Sequence, residues 1–157
     1  MSVPLGRAAE HPADARAAAS GGVFTLAAAL VLDLEGRALL VRKRGTHAFM
    51  QPGGKIEPGE TARQAIVREL AEELTLRVDE SDLGHLGHFT ADAANEPGWT
   101  VDCEVFTLVT DAPVAVAAEI EEARWFDPRD TGDAVIAPLT REHVFPAIPA
   151  QRGGGGD

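Results

Sequence analysis

The sequence predicts an α/β fold in which helices cover both faces of a mixed β-sheet, an α/β/α sandwich. Several segments of strand length, apolar or alternating, are separated by turn residues. A strongly patterned helical segment follows the first two of them, and a shorter helical pattern at residues 135–144 comes late in the chain. Strands on either side of a central helix, with another helix after them, are typical of a layered domain.

Five segments have the composition of strands. The first is long and apolar, and Glu35-Gly36 marks the turn that leads to the second. A polar loop containing Asn95-Glu96-Pro97-Gly98 separates the third from the fourth. The predicted strands are residues 24–34, 38–42, 83–90, 99–109 and 120–126.

The chain of 157 residues is long enough for one domain with a sizeable core and too short for two ordinary ones. Residues 1–20 are rich in Ala, Pro and Gly without periodicity, and we expect a flexible leader there. Residues 151–157 include four consecutive glycines and are expected to form a flexible tail. The domain is predicted to occupy residues 21–150.

The central helix carries two different faces. Thr61 and Gln64 form a capping-box pattern, so the helix is expected to begin at Ala62. Near its middle, residues 66, 67, 70 and 74 form an apolar stripe that can dock on a core. Three glutamates share an adjacent face, because residues three and four apart on a helix lie within about 60° of one another. They are Glu69, Glu72 and Glu73.

This acidic face has two interpretations. Like charges at these spacings destabilise a helix by a few tenths of a kcal/mol per pair. A hard divalent cation such as Mg²⁺ or Mn²⁺ removes that penalty, since it prefers carboxylate oxygens. The alternative is a solvated acidic surface, which is what most charge runs are. The glycine turns that precede the helix, at Gly53-Gly54 and Gly59, favour a site over a plain surface.

The spacing of these residues resembles the box of the Nudix hydrolases, G-x5-E-x7-R-E-U-x-E-E-x-G-U, where U is a bulky aliphatic residue. The chain matches it at Gly54, Glu60, Arg68, Glu69, Leu70, Glu72, Glu73 and Leu76. One position differs, because Thr75 stands where the family has glycine. In the family that glycine ends the helix, so the substitution places the end of the helix, and not the carboxylates, in question. The resemblance implies the same α/β/α sandwich for the whole predicted domain.

The resemblance also implies roles for individual residues. Glu69, Glu72 and Glu73 are the expected main ligands of Mg²⁺, with Mn²⁺ as a substitute, and Glu69 is the candidate for orienting or deprotonating the attacking water. Arg68 is expected to hold a carboxylate or loop in place. Further candidate ligands lie outside the helix: Glu60, Gly53, and a loop glutamate, Glu119, six residues ahead of Trp125 as in MutT-like members, with Glu121 or Glu122 as substitutes.

Substrate-binding residues are expected around the same loop. Lys55 follows the glycines, and Gly54 permits close backbone approach. Residues 42–44 are all basic and come at the close of the second predicted strand; alternation would turn only some of them toward the site, and Arg42 and Arg44 are the candidates. Phe49 lies nearest to the box of the aromatic residues that could stack on a nucleobase, the others being Phe24, Phe89 and Trp99.

Composition limits the partners. The net charge of −11 argues against nucleic acid as a stable partner and favours a small anionic substrate whose binding a cation mediates. There is no uninterrupted apolar run of membrane-spanning length and no secretory signal pattern, so no membrane partner is expected. A single cysteine, Cys103, fits a reducing cytoplasm. A monomer and a homodimer are both compatible with the sequence.

The expected function is Mg²⁺-dependent hydrolysis of a nucleoside diphosphate linked to another moiety, as in MutT-like pyrophosphohydrolases that cleanse nucleotide pools. An ADP-ribose or nucleotide-sugar pyrophosphatase is an alternative. Two alternatives belong to other classes: an enzyme like isopentenyl diphosphate isomerase, in which Cys103 would be catalytic, and a Nudix module that binds without catalysis.

Overall fold

The computed structural model describes residues 21–148. The predicted leader, residues 1–20, and the predicted tail, residues 151–157, lie outside the described residues. Within the described residues, the secondary-structure elements run from a first strand that begins at Val23 to helical turns that end at Ala147.

The sheet has six strands in the order β4-β5-β1-β2-β6, with the short β3 beside β1. Among the pairings between these six strands the β1–β5 pair is parallel and the others are antiparallel, so the prediction of a mixed sheet is confirmed. All five predicted strands are present with ends within two residues of those expected, whereas β3 was not predicted. The strands are β1 Val23–Leu32, β2 Ala38–Lys43, β3 Gly53–Lys55, β4 Gly84–Asp92, β5 Thr100–Val109 and β6 Ile120–Phe126.

The central helix, α1, spans Ala62–Leu74 and begins where the capping box predicted. The backbone N–H of Gln64 donates to Thr61 Oγ1 at 3.0 Å, and the backbone N–H of Thr61 donates to Gln64 Oε1 at 2.9 Å. Two otherwise unpaired donors of the first turn are thereby satisfied.

The end of α1 shows how threonine replaces the family's glycine. Thr75 adopts the left-handed conformation, with φ of 57°, and its N–H donates back to Ala71. This conformation costs a β-branched residue free energy that glycine would not lose. Thr75 Oγ1 donates to Ala115 O at 3.0 Å, a bond that glycine could not make and that offsets part of the cost. The helix therefore ends at the family position.

Both faces of the sheet are covered. Alternate residues of β1 point to opposite sides, so Ala27, Ala29 and Val31 pack in the cluster that contains α1. Ala28 and Leu30 pack in a second cluster, which contains Leu139 and Val144 from the C-terminal turns. These turns are a π-helix, Thr140–Val144, followed by a 3₁₀-helix, Phe145–Ala147; a further 3₁₀-helix, Glu80–Asp82, precedes β4. The sandwich prediction agrees with this arrangement.

The late helix starts after the predicted position. Residues 135–137 are extended because they hydrogen-bond to Phe49: its N–H donates to Val135 O, and Ala137 N–H donates to Phe49 O, both at 2.8 Å. Phe49 and Ile136 form an isolated parallel bridge. A pairing between residues so distant in sequence is not visible in local periodicity. None of the helices described between residues 21 and 148 has the length and apolar character needed to span a bilayer.

Candidate active site

A buried carboxylate lies at the centre of the site. Glu73, on α1, is 2% exposed, and its Oε1 accepts a hydrogen bond from the backbone N–H of Gly53 at 3.2 Å. Burial, followed by the neighbouring negative charge of Glu69, raises the pKa of Glu73 well above its usual range. A hydrogen bond between the two side chains acts in the same direction, while Lys43 opposes the shift. The two carboxyl groups therefore form a close pair that favours a shared proton or a cation.

The glycines of β3 allow this pair to reach the cleft. A Cβ on Gly53, whose φ is 153°, would lie 2.2 Å from Ala27 O, and a Cβ on Gly54 would lie 2.3 Å from Glu69 Oε2. Backbone atoms therefore exclude a side chain at Gly53, whereas a side chain at Gly54 would displace the Glu69 carboxylate. As a result, Glu69 lines the cleft although α1 packs on the opposite side of β3.

Arg68 holds the loop before α1 to the helix. Its Nε and Nη2 donate to the two oxygens of Glu60 at 2.6 and 2.9 Å, a bidentate pair. Hydrogen bonds from Arg68, followed by one from Glu57, lower the pKa of Glu60 to about 2. Arg68 also donates to Glu69 at 3.0 Å and to Lys55 O at 3.2 Å. Glu60 was expected to turn toward the carboxylate face as a ligand; instead both of its oxygens are engaged by Arg68.

The carboxylate side chains of the site are of the type that a hard cation prefers, but they are not arranged around one metal position. No three His, Cys, Asp or Glu side chains within residues 21–148 have the arrangement of a complete metal site. Glu73 offers buried carboxylate oxygens and Glu69 partly buried ones, the ligand type that Mg²⁺ prefers. Glu72 has a 55% exposed side chain that contacts Arg68 at 3.4 Å. Glu69 and Glu73 are thus chemically suited to bind Mg²⁺, and the side chain of Glu72 would have to rotate to become a further ligand.

A cleft of about 790 Å³ opens beside this pair. Lys43, Arg44 and Lys55 supply its basic side, and the loop of residues 92–96 forms another wall. Each of two basic residues is paired with an acidic one: Lys43 Nζ lies 3.5 Å from Glu119, and Arg44 Nε lies 3.4 Å from Glu121. The cleft has the size and lining of a small-molecule site.

Six of the predicted site residues line this cleft. Its lining includes Gly53, Gly54, Lys55, Arg44, Glu69 and Glu119. Two predicted binding residues are absent from it. Phe49 is 4% exposed and packs edge-on against Phe126 with ring centroids 5.1 Å apart, so its ring is part of the core, and base stacking by Phe49 stays a prediction that these contacts do not support. Arg42 donates to Thr46 O at 2.9 Å and pairs with Glu122 at 3.3 Å, outside the cleft.

Lys43 is the basic residue that the sequence did not single out. A register shift in the β2–β6 pairing falls between Arg42 and Lys43, so Arg42 pairs with Glu122 and Lys43 with Ile120. Such an irregularity alters the direction of side chains relative to simple alternation. Alternation indicated only that some of residues 42–44 would face the site, and no sequence signal placed the irregularity.

Cys103 also lines the cleft, but as a buried small residue. Burial, followed by the charges of Glu104 and Asp102, raises the pKa of its thiol to about 12. A thiol with such a pKa is a poor nucleophile or base at neutral pH, because the thiolate is the reactive form.

The family model described as NUDIX domain matches residues 24–147, most of the chain. The chain belongs to the Nudix hydrolase family. Among its Nudix relatives, an uncharacterized Nudix hydrolase of Pseudomonas aeruginosa is 42% identical over 77 residues, which are 48% of this chain and 43% of that protein. An RNA pyrophosphohydrolase of Serratia proteamaculans is 45% identical over 47 residues, 30% of this chain and 27% of that protein. The chain thus spans less than half the length of these relatives.

The Nudix fold is also found by structural comparison. The crystal structure of a MutT NUDIX hydrolase from Burkholderia pseudomallei matches with a TM-score of 0.67 and 19% identity, over 81% of this chain and 98% of that one. At this identity the likeness concerns the fold.

Proposed function

We propose that this Nudix protein hydrolyses a nucleoside diphosphate linked to another group and requires Mg²⁺, with Mn²⁺ as a substitute. The observation that carries the proposal is the neighbouring pair of buried Glu73 and partly buried Glu69, of which Glu69 lines a cleft with a basic side next to Gly53 and Gly54. A cation at the pair would neutralise the diphosphate, which is otherwise repelled by a chain of net charge −11.

The site residues have different proposed roles. Glu69 and Glu73 would hold the metal, with Glu72 after rotation, the backbone of Gly53, and Glu119 once it separates from Lys43. Glu69 would orient or deprotonate the attacking water. Arg68 fixes Glu60, so we propose that Glu60 orders the loop rather than binding the metal directly. Lys55 and Arg44 would bind the phosphates, and Gly54 leaves space for Glu69.

The substrate class follows from size and charge. A cleft of about 790 Å³ suits a mononucleotide derivative, and MutT-like hydrolysis of nucleoside triphosphates, as in nucleotide-pool cleansing, is the first candidate. ADP-ribose and nucleotide sugars are the alternatives. We propose a cytoplasmic enzyme without a stable nucleic-acid or membrane partner, acting as a monomer or homodimer. The RNA pyrophosphohydrolase relative makes 5′-triphosphorylated RNA a necessary comparison.

A panel assay tests this proposal. Ordinary and oxidised nucleoside triphosphates, ADP-ribose, a nucleotide sugar, a dinucleoside polyphosphate and a 5′-triphosphorylated RNA are incubated with Mg²⁺. Phosphate or pyrophosphate released from the triphosphates, and the nucleotide products of the other substrates separated by ion-exchange chromatography, are measured. We expect turnover of at least one mononucleotide derivative that stops when EDTA removes the metal. Absence of metal-dependent turnover across the panel would contradict the proposal and favour a binding module.

Substitution of Cys103 distinguishes a hydrolase from an isomerase that would use this thiol. An enzyme like isopentenyl diphosphate isomerase would need this thiol, whereas the buried group with its raised pKa is unsuited to that role. We therefore expect Cys103→Ala to retain turnover of the panel substrate. Loss of turnover in a folded Cys103→Ala protein would reopen the isomerase alternative.

A further inference from the structure

One member of an aromatic pair, Phe24, forms part of the cleft wall next to the proposed phosphate-binding side. Phe24, on β1, stacks on Trp99 with ring centroids 4.5 Å apart and an angle of 22° between the planes. Trp99 lies against Gly22, where a Cβ would come within 2.7 Å of the indole ring. The pair is therefore fixed between the start of β1 and the end of the loop that precedes β5.

Lys55 contacts this pair from β3. Its Nζ lies over the Phe24 ring, 5.2 Å from the centroid, and both residues line the cleft. In the β1–β3 ladder Lys55 is opposite Leu26, two residues along from Phe24, so the contact follows from strand register. A ring attracts an ammonium group without cancelling its charge.

The contact gives Phe24 a role in binding the diphosphate. A lysine side chain has many rotamers, and restricting them before a ligand arrives lowers the entropic cost of binding. We propose that Phe24, supported by Trp99, is a positioning residue that holds the Lys55 ammonium over the cleft for a substrate phosphate. This inference rests on the phosphate-binding role of Lys55 in the proposed function and adds the residues through which that role is achieved.

The test separates this role from base stacking. Methylenediphosphonate, a diphosphate analogue that has no base and no hydrolysable bridge, is titrated with Mg²⁺ into the full chain by calorimetry. Phe24→Leu should weaken binding about two- to fivefold, which corresponds to the usual strength of an exposed cation–π contact. Lys55→Gln should weaken binding at least as much. In the Lys55→Gln background, Phe24→Leu should have almost no further effect, because Phe24 acts through Lys55.

Matched variants exclude a general loss of packing. Phe89 packs against the same hydrophobic cluster as Phe24 but does not line the cleft, so Phe89→Leu should leave binding unchanged. Phe24→Trp keeps an aromatic face and should retain wild-type affinity. If Phe24→Leu does not fold, Phe24→Met replaces it in the cycle.

Two results would overturn the inference: an unchanged affinity in Phe24→Leu, or an equal loss in the wild-type and Lys55→Gln backgrounds. Because the analogue reports binding alone, these results are independent of whether any substrate in the panel is turned over. A chain that binds the analogue as expected but hydrolyses nothing would refute the proposed hydrolysis and leave the positioning role of Phe24 standing.

Discussion

The backbone N–H of Gly53 donates to Glu73 Oε1 at 3.2 Å, joining β3 to the buried carboxyl group of α1. Together with the bond from Arg68 to Lys55 O, it holds β3 against α1. One backbone donor does not compensate a buried charge next to a second carboxylate, and the raised pKa of Glu73 follows.

Loss of either carboxylate of the pair should abolish most of the activity. Glu69→Gln and Glu73→Gln keep the side-chain shape but remove a charged metal ligand. Since a bound metal supplies several kcal/mol of transition-state stabilisation, we expect kcat/KM to fall about a hundredfold or more. Mn²⁺ affinity, measured by electron paramagnetic resonance of the free ion, should fall in parallel. Exposed Glu142→Gln is the charge-matched control; full turnover in both pair variants would refute the assignment.

Without metal, Glu73→Gln should increase stability. Because the pKa of Glu73 is higher in the folded than in the unfolded state, the folded state binds more protons between the two values, and the free energy of unfolding falls as pH rises through that range. In Glu73→Gln this pH-dependent fall in the free energy of unfolding is absent. Its Tm advantage in EDTA should therefore grow as pH rises above the ordinary glutamate pKa of 4.5, with each kcal/mol worth about 2–4 °C. Saturating Mg²⁺ should reverse the order.

Arg68→Lys tests the two parallel hydrogen bonds that Arg68 donates to Glu60. A lysine cannot donate two parallel hydrogen bonds to one carboxylate, so the loop before α1 loses its main contact with the helix. We expect activity to fall about ten- to a hundredfold, as for other residues that orient metal ligands. The pKa of Glu60, followed by carbon NMR of the carboxyl group, should rise from about 2 toward its ordinary value. The exposed Arg77→Lys serves as control, and an unchanged Glu60 pKa would contradict the pairing.

A cross-strand cluster gives β4 a pH-dependent attachment to β5. His88 Nδ1 lies 2.7 Å from Glu104, and its Nε2 lies 2.5 Å from Asp102. Hydrogen bonds that His88 donates to Glu104 and then to Asp102 raise the pKa of His88, while those that Glu104 accepts from His88 and then His85 lower the pKa of Glu104.

The direction of its pH dependence follows. The stabilisation from His88 is complete below the ordinary histidine pKa of 6.5 and is lost as pH rises through the raised pKa of His88. The stabilisation from Glu104 is lost on the acidic side, as pH falls below 4.5 through the lowered pKa of Glu104. The difference in unfolding free energy between wild type and His88→Gln should therefore be largest between pH 4.5 and 6.5. His47→Gln, exposed, should show no such maximum. A difference independent of pH would contradict the pairing.

The parts of the fold that could be predicted from the sequence are those determined locally. The cap of α1 depends on Thr61 and Gln64, three residues apart, and the strands depend on alternation and turns. The burial of Phe49 depends on a bridge to Ile136, and the position of Lys43 depends on a register shift against β6. Thr75 keeps the helix end through a bond to Ala115, forty residues away. Such contacts follow from the tertiary fold, so local patterns do not contain them.

The missing side chains of Gly53 and Gly54 leave room at β3 for Glu69 to line the same cleft as Phe24 and Leu139. Carboxylates enter from the helix side, while the aromatic and apolar wall stands on the other side. On the proposed function, reaction chemistry and ligand choice therefore occupy different layers of the molecule. Substitutions among residues such as Phe24 or Leu139 can change which molecule fits without disturbing Glu69 and Glu73, so new substrates are accessible by mutation without rebuilding the catalytic layer.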